Sequence, residues 1–116
     1  MRVFNLTFDS RDPTALAEFW SAVLERPVGG TGEFFAYIDR TPADPAVLFI
    51  KVPEGKTAKN RFHLDLDTDD LAAARPRLEA LGASFVHERN EHGVHWYTFQ
   101  DPEGNEFCVG AHGDGG

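Results

Sequence analysis

The chain has 116 residues, 41% of them hydrophobic, with 11 basic against 19 acidic side chains and a net charge of −8 before histidine. That is enough apolar material for one compact domain or two small modules sharing a core. The acidic balance argues against a nucleic-acid or anionic-membrane partner. A single cysteine excludes an internal disulfide framework.

Residues 2–9 alternate: Phe4, Leu6 and Phe8 on one side, Asn5, Thr7 and Asp9 on the other. This predicts a half-buried strand. Asp12-Pro13 then supplies an N-cap and a first-turn proline, and Leu16, Phe19, Trp20, Val23 and Leu24 recur at helical spacing. The helix is expected to end before Pro27. Pro27-Val28-Gly29 offers a weak strand, and 33–39 and 46–52 read as two stronger ones. The polar stretch from Pro53 to Asn60 is the natural module boundary, near residue 58.

The pattern then begins again. Residues 61–67 repeat the alternating strand, and Thr68-Asp69-Asp70 offers caps for a helix carrying Leu71, Ala74, Leu78 and Leu81, closed by Gly82. Pro76 predicts a kink or a late start. Strands follow at 83–88, 94–100 and 105–110, joined by turns at Glu91-His92-Gly93 and Asp101-Pro102-Glu103-Gly104-Asn105. The Gly-rich segment from Gly110 to Gly116 is expected to fray. The opening MRVFNLTFDS lacks the apolar core of a secretory signal, and no apolar run approaches the roughly 20 residues that span a bilayer. With the lone thiol, this predicts a cytoplasmic protein without a membrane partner.

The order is β-α-β-β-β, twice, at an offset of about 58 residues. Phe4 to Ser10 lines up with Phe62 to Thr68, and Val47-Leu48-Phe49-Ile50 with Asn105-Glu106-Phe107-Cys108. At this offset Asn5 matches His63 and Ile50 matches Cys108. Strand parity puts Asn5, Thr7, Asp9 and His63, Asp65, Asp67 opposite the helix-covered face. Leu48, Ile50, Val52 and Glu106, Cys108, Gly110 share that parity. The predicted class is α+β, with two paired βαβββ modules (1–58 and 59–116) in one domain, whose curved sheets form a cup with the helices outside.

This arrangement resembles the vicinal oxygen chelate superfamily of glyoxalases, bleomycin-resistance proteins and extradiol dioxygenases. It is most similar to the small bacterial glyoxalase-like domain proteins. The resemblance is carried by Asp9-Ser10-Arg11-Asp12-Pro13 leading to Phe19-Trp20, by Val52-Pro53-Glu54-Gly55-Lys56 with Lys59 to Leu66, and by Gly82-Ala83, His95-Trp96 and Asp101 to Val109. It implies a small-molecule pocket in the cup, a homodimer, and in family enzymes one divalent metal held by His, Glu or Gln at the first and last strand of each module. The matching positions here are Asn5, Ile50, His63 and Cys108. Of these only His63 is a typical ligand, so the metal site reads as degenerate and no cofactor is expected.

Two functional readings follow. In one, the protein binds or sequesters a small molecule without metal, using Asn5, Thr7, Leu48, Ile50, His63, Trp96, Glu106 and Cys108. In the other, it is a metal-dependent lyase, isomerase or dioxygenase built on His63. His63 and Asp65, two apart on one strand face, form a candidate general-base pair; a polar pocket wall is the alternative. His63 with Cys108 could make a thiol–imidazole pair, though a packing cysteine is the commoner case. His87, His92 and His95 with Glu88 and Glu91 surround one hairpin, where a solvated turn is the plainer reading.

Overall fold

A computed structural model describes residues 3–54, 62–91 and 94–111, excepting the side chains of Glu91 and Val94. The chain divides into two compact units, Met1–Gly55 and Lys56–Gly116. The class is mixed α+β: each unit carries one four-stranded mixed sheet and one helix.

The first unit runs β1 (Asn5–Ser10), α1 (Pro13–Leu24), β2 (Val28–Thr31), β3 (Phe35–Ile38) and β4 (Ala46–Lys51). Its strand order is β1-β4-β3-β2. β1 and β4 are parallel, and the remaining pairings are antiparallel. The helix starts where the sequence says it should. The Asp12 side chain accepts from the Ala15 N–H at 3.2 Å, and Pro13 occupies the first turn. Glu25 closes the helix in the left-handed region at φ 55°, its N–H bonded to the Ser21 carbonyl. Leu16, Ala17, Phe19 and Trp20 are buried along one stripe. Ala36, Ile38, Val47 and Phe49 are buried with them in the core, and the Phe8 ring lies 5.7 Å from Trp20 and 5.3 Å from Phe49. The stretch expected at 27–29 proves to be a full strand, β2, paired along β3.

The second unit repeats the plan with β5 (Leu64–Asp67), α2 (Leu71–Leu81), β6 (Ser84–Glu91), β7 (Val94–Gln100) and β8 (Glu106–Gly110), ordered β5-β8-β7-β6. Asp70 caps α2 by accepting from the Ala73 N–H at 3.1 Å. The helix runs through Pro76 without a late start. Gly82 ends it at φ +114°, a conformation that favours glycine. Phe99 and Phe107 stack at 5.7 Å within the core, and the Arg75 guanidinium lies 3.6 Å above the Phe85 ring. The expected turn at His92-Gly93, the boundary segment 55–61 and the tail from His112 lie outside the described residues.

The repeat is not uniform in register. Thr7 lies beside Leu48 in β4, whereas Asp65, its counterpart, lies beside Cys108 in β8. Cys108 therefore answers to Leu48, and Ile50 answers to Gly110. The offset of about 58 residues holds through the caps and helices but not at the last strand. The cause is the longer β6–β7 hairpin; the register shifts between Val28 and Gly30 and between Phe85 and His87 are common to both units.

Candidate functional site

Each sheet has one face on its helix and one face away from it. Residues paired in register share a face. In the first unit, Phe8, Phe49 and Ala36 face α1, so Thr7, Leu48 and Tyr37 form a row on the open face, and Asp9, Ile50 and Phe35 form the next. Asn5 lies on the same side of β1 and is half-buried; Ile50 is 36% exposed. Among the expected first-unit contact residues, then, Asn5, Thr7, Leu48 and Ile50 do share a face.

The second unit presents different chemistry in the same place. Asp65, Cys108, Thr98 and His87 form one row across the four strands. Glu106 lies beside Gln100, and Trp96 beside Gly110, on the same face. Tyr97 points the other way, packing edge-on against Phe85 and Phe99. Trp96 therefore shares the Cys108 face and Tyr97 does not.

His63 stands just before β5. Its Nδ1 lies 2.9 Å from Asp65 Oδ1, with the two side chains 49% and 61% exposed. The Cys108 thiol is half-buried and lies 3.4 Å from the Thr98 hydroxyl, itself buried at 4% exposure. One ligand atom from each of His63, Asp65 and Cys108 falls within 4.8 Å of the others. This trio differs from the set of four matched by resemblance, since Asp65 takes a place and Asn5 and Ile50 belong to the other unit. Thr98 is the member that sequence reasoning missed. Its spacing of two from Trp96 on an alternating strand signals the shared face but not the neighbour.

A buried turn positions β8 and its cysteine. Asp101 is 2% exposed, and its carboxylate accepts from the backbone N–H groups of Glu103 and Asn105 at 2.9 Å each and from the Asn105 side-chain amide. Gly104 takes φ +86° to close it. At the hairpin, His95 Nε2 contacts Glu88, and the His95 ring stands edge-on to Tyr97. That pair lies on the helix-side face of β7, apart from the Cys108 row.

Residues 5–110 match the family model described as a glyoxalase-like domain. No curated protein matches the sequence. Solved structures do. A glyoxalase/bleomycin resistance protein/dioxygenase family enzyme from Burkholderia phytofirmans PsJN aligns over 92% of this chain and 95% of its own, at 18% identity and a TM-score of 0.75. A possible glyoxalase from Bacillus cereus aligns over 96% and 99%, at 20% identity and a TM-score of 0.74. The fosfomycin resistance protein FosX from Mesorhizobium loti aligns over 98% and 94%, at 16% identity and a TM-score of 0.73. At such identities the likeness speaks to fold alone.

Proposed function

The chain belongs to the glyoxalase-like domain family, and from that premise we propose that it binds a small organic molecule on the open sheet face of its second unit, without a resident metal, with His63 as the central polar contact. One observation carries this reading: the 2.9 Å pairing of His63 Nδ1 with Asp65. In the neutral imidazole the carboxylate accepts the Nδ1 proton, which leaves Nε2 as the acceptor. Nε2 can then take a hydrogen bond, or a proton, from a ligand hydroxyl or acidic C–H. Asp65 orients the ring and would stabilise the imidazolium if the proton moved. Trp96, Glu106 and Cys108 are the further contacts on this face; Asn5, Thr7, Leu48 and Ile50 offer a separate surface on the open face of the first unit.

A second reading is favoured by the His63–Asp65–Cys108 trio. One nitrogen, one oxygen and one sulfur donor suit a borderline-soft divalent ion such as zinc, with a fourth position left for water or substrate. These donors fit such an ion, which would polarise a bound oxygen. Asn5 is a poor donor and Ile50 is none, so the first unit would contribute little. The metal-free reading ranks first because His63 and Asp65 are about half exposed, whereas catalytic ions sit in water-excluding cavities.

Elemental analysis of purified protein and a thermal-shift screen separate the two. The first reading expects sub-stoichiometric metal, no stabilisation by zinc, and stabilisation by small organic ligands that is lost in His63→Ala. Stoichiometric metal, lost in both His63→Ala and Cys108→Ser, would establish the second. A homodimer in a reducing compartment completes the proposal. It is supported by exposed Phe4 and Phe62 at matching positions of the repeat and by the single free thiol. Sedimentation equilibrium giving a monomer at working concentration would remove the dimer.

A further inference from the structure

Cys108 alternates out of the core. Its neighbours Phe107 and Val109 are 1% and 3% exposed, whereas the thiol is half-buried on the open face of the second unit. Free cysteines are commonly core residues; this one is not.

Three groups converge on that sulfur. A ring nitrogen of His63, a carboxylate oxygen of Asp65 and Cys108 Sγ all lie within 4.8 Å of one another. The Thr98 hydroxyl lies 3.4 Å from the sulfur, and Asp65 Oδ1 lies 2.9 Å from His63 Nδ1. The arrangement is a nucleophile, a base beside it and a group that orients the base. His63 is about half exposed, so its ring can turn towards the sulfur. The aligned strands of the first unit carry Thr7 and Leu48 in the places of Asp65 and Cys108, and nothing equivalent arises there.

The surrounding charge selects the partner. Asp65, Asp67 and Glu106 share this face, and among the described residues only the Arg89 guanidinium, on the far edge strand β6, opposes them. An anionic ligand is disfavoured there.

We propose that Cys108 captures neutral α,β-unsaturated carbonyl compounds covalently, with His63 carrying the proton. The inference rests on the metal-free His63 reading and names a ligand class for it. The thiol proton passes to His63, sulfur bonds to the β-carbon, and the π electrons of the double bond move towards the carbonyl as an enolate. The imidazolium then gives its proton to the α-carbon. One S–H bond and one C=C π bond are exchanged for one S–C and one C–H bond, so the step needs no oxidant, reductant or leaving group.

N-Ethylmaleimide, a neutral compound of this class, tests the step on the full chain by intact-mass kinetics. The chain has one cysteine, so a single adduct carrying the whole mass of the reagent reports Cys108. His63→Ala is expected to slow its formation at least about tenfold, and Asp65→Asn about threefold. The sign separates chemistry from packing, because loosened structure exposes a half-buried thiol and speeds its reaction, whereas loss of the base slows it. An unchanged or faster rate in His63→Ala, or no adduct in the unaltered chain, overturns the proposal. Should His63→Ala lose its cooperative urea transition, His63→Gln is read in its place by the same criterion. Maleimidopropionate, the same ring bearing a carboxylate, is expected to react at least about threefold more slowly than N-ethylmaleimide. An equal rate overturns the assignment to neutral electrophiles. Thermal stabilisation of the unaltered chain by ligands without an electrophilic carbon reports the His63 reading by itself, so failure of that reading and failure of this one are told apart.

Discussion

The two units share strand order, helix caps and a core of last-strand phenylalanines, yet equivalent rows on their open faces differ in kind. Thr7, Leu48, Tyr37 and Gly30 cross the first sheet; Asp65, Cys108, Thr98 and His87 cross the second. Apart from Thr7, the first row is apolar and aromatic, and it ends at Gly30. The other is polar and contains three groups able to ligate or exchange protons. Packing constrains the helix-facing positions of both units alike, because each must bury the same kinds of apolar surface. The open faces escape that constraint and have diverged. The comparison teaches that stability here belongs to what is duplicated and function to what is not.

The largest test of that division is in the core. Phe49 and Phe107 are 0% and 1% exposed. Phe49→Ala and Phe107→Ala should each cost about 3–5 kcal/mol by lost burial and cavity formation. Urea denaturation would check this. A loss below about 1 kcal/mol in one unit only would show that the two cores are not equivalent supports.

Next is the Asp101 turn, buried where its counterpart in the first unit, in which Thr41 accepts from the Ala43 and Asp44 N–H groups, is exposed. Asp101→Ala strands the N–H groups of Glu103 and Asn105 in a buried setting and should cost about 2–3 kcal/mol. Because β8 begins just beyond, Cys108 should also react faster with a thiol reagent. Unchanged reactivity alongside lost stability would mean that the turn does not hold the thiol in place.

Smaller and symmetric effects are expected at the caps. Asp12→Ala and Asp70→Ala each remove one side-chain acceptor at a helix start, and each should cost about 1 kcal/mol. Equal losses sharpen the view that these positions are duplicated for structure. A loss at only one would assign the other carboxylate a different duty.

The caps are also among the features most legible in the amino-acid sequence. Asp12-Pro13, Asp70, Gly82 and the Asp101–Asn105 turn act through neighbours a few residues away, so their chemistry shows in the order of residues. The helix stripe and the two faces of β1 follow from periodicity alone. The register of β8 is not legible in this way. It depends on the length of the β6–β7 hairpin, which leaves no local signal. Reading the offset as constant pairs Cys108 with Ile50, whereas the strand ladder pairs it with Leu48 in the repeat. The His63–Asp65 contact can be anticipated from a spacing of two, but Thr98 beside Cys108 cannot, since it requires knowing which strand adjoins which.

The smallest expected effect on stability is the most diagnostic one for function. His63 and Asp65 are about half exposed and face away from the helix, and exposed ion pairs contribute about 0–1 kcal/mol. His63→Ala should therefore move the unfolding free energy by no more than about 0.5 kcal/mol, the usual range at surface positions. If the same variant abolishes ligand-induced stabilisation, the imidazole serves recognition and not folding. A loss near 2 kcal/mol or more would place His63 among the structural residues. The polar row of the second unit would then be a folding device, and the division between duplicated support and diverged function would fail at the residue where it is drawn most sharply.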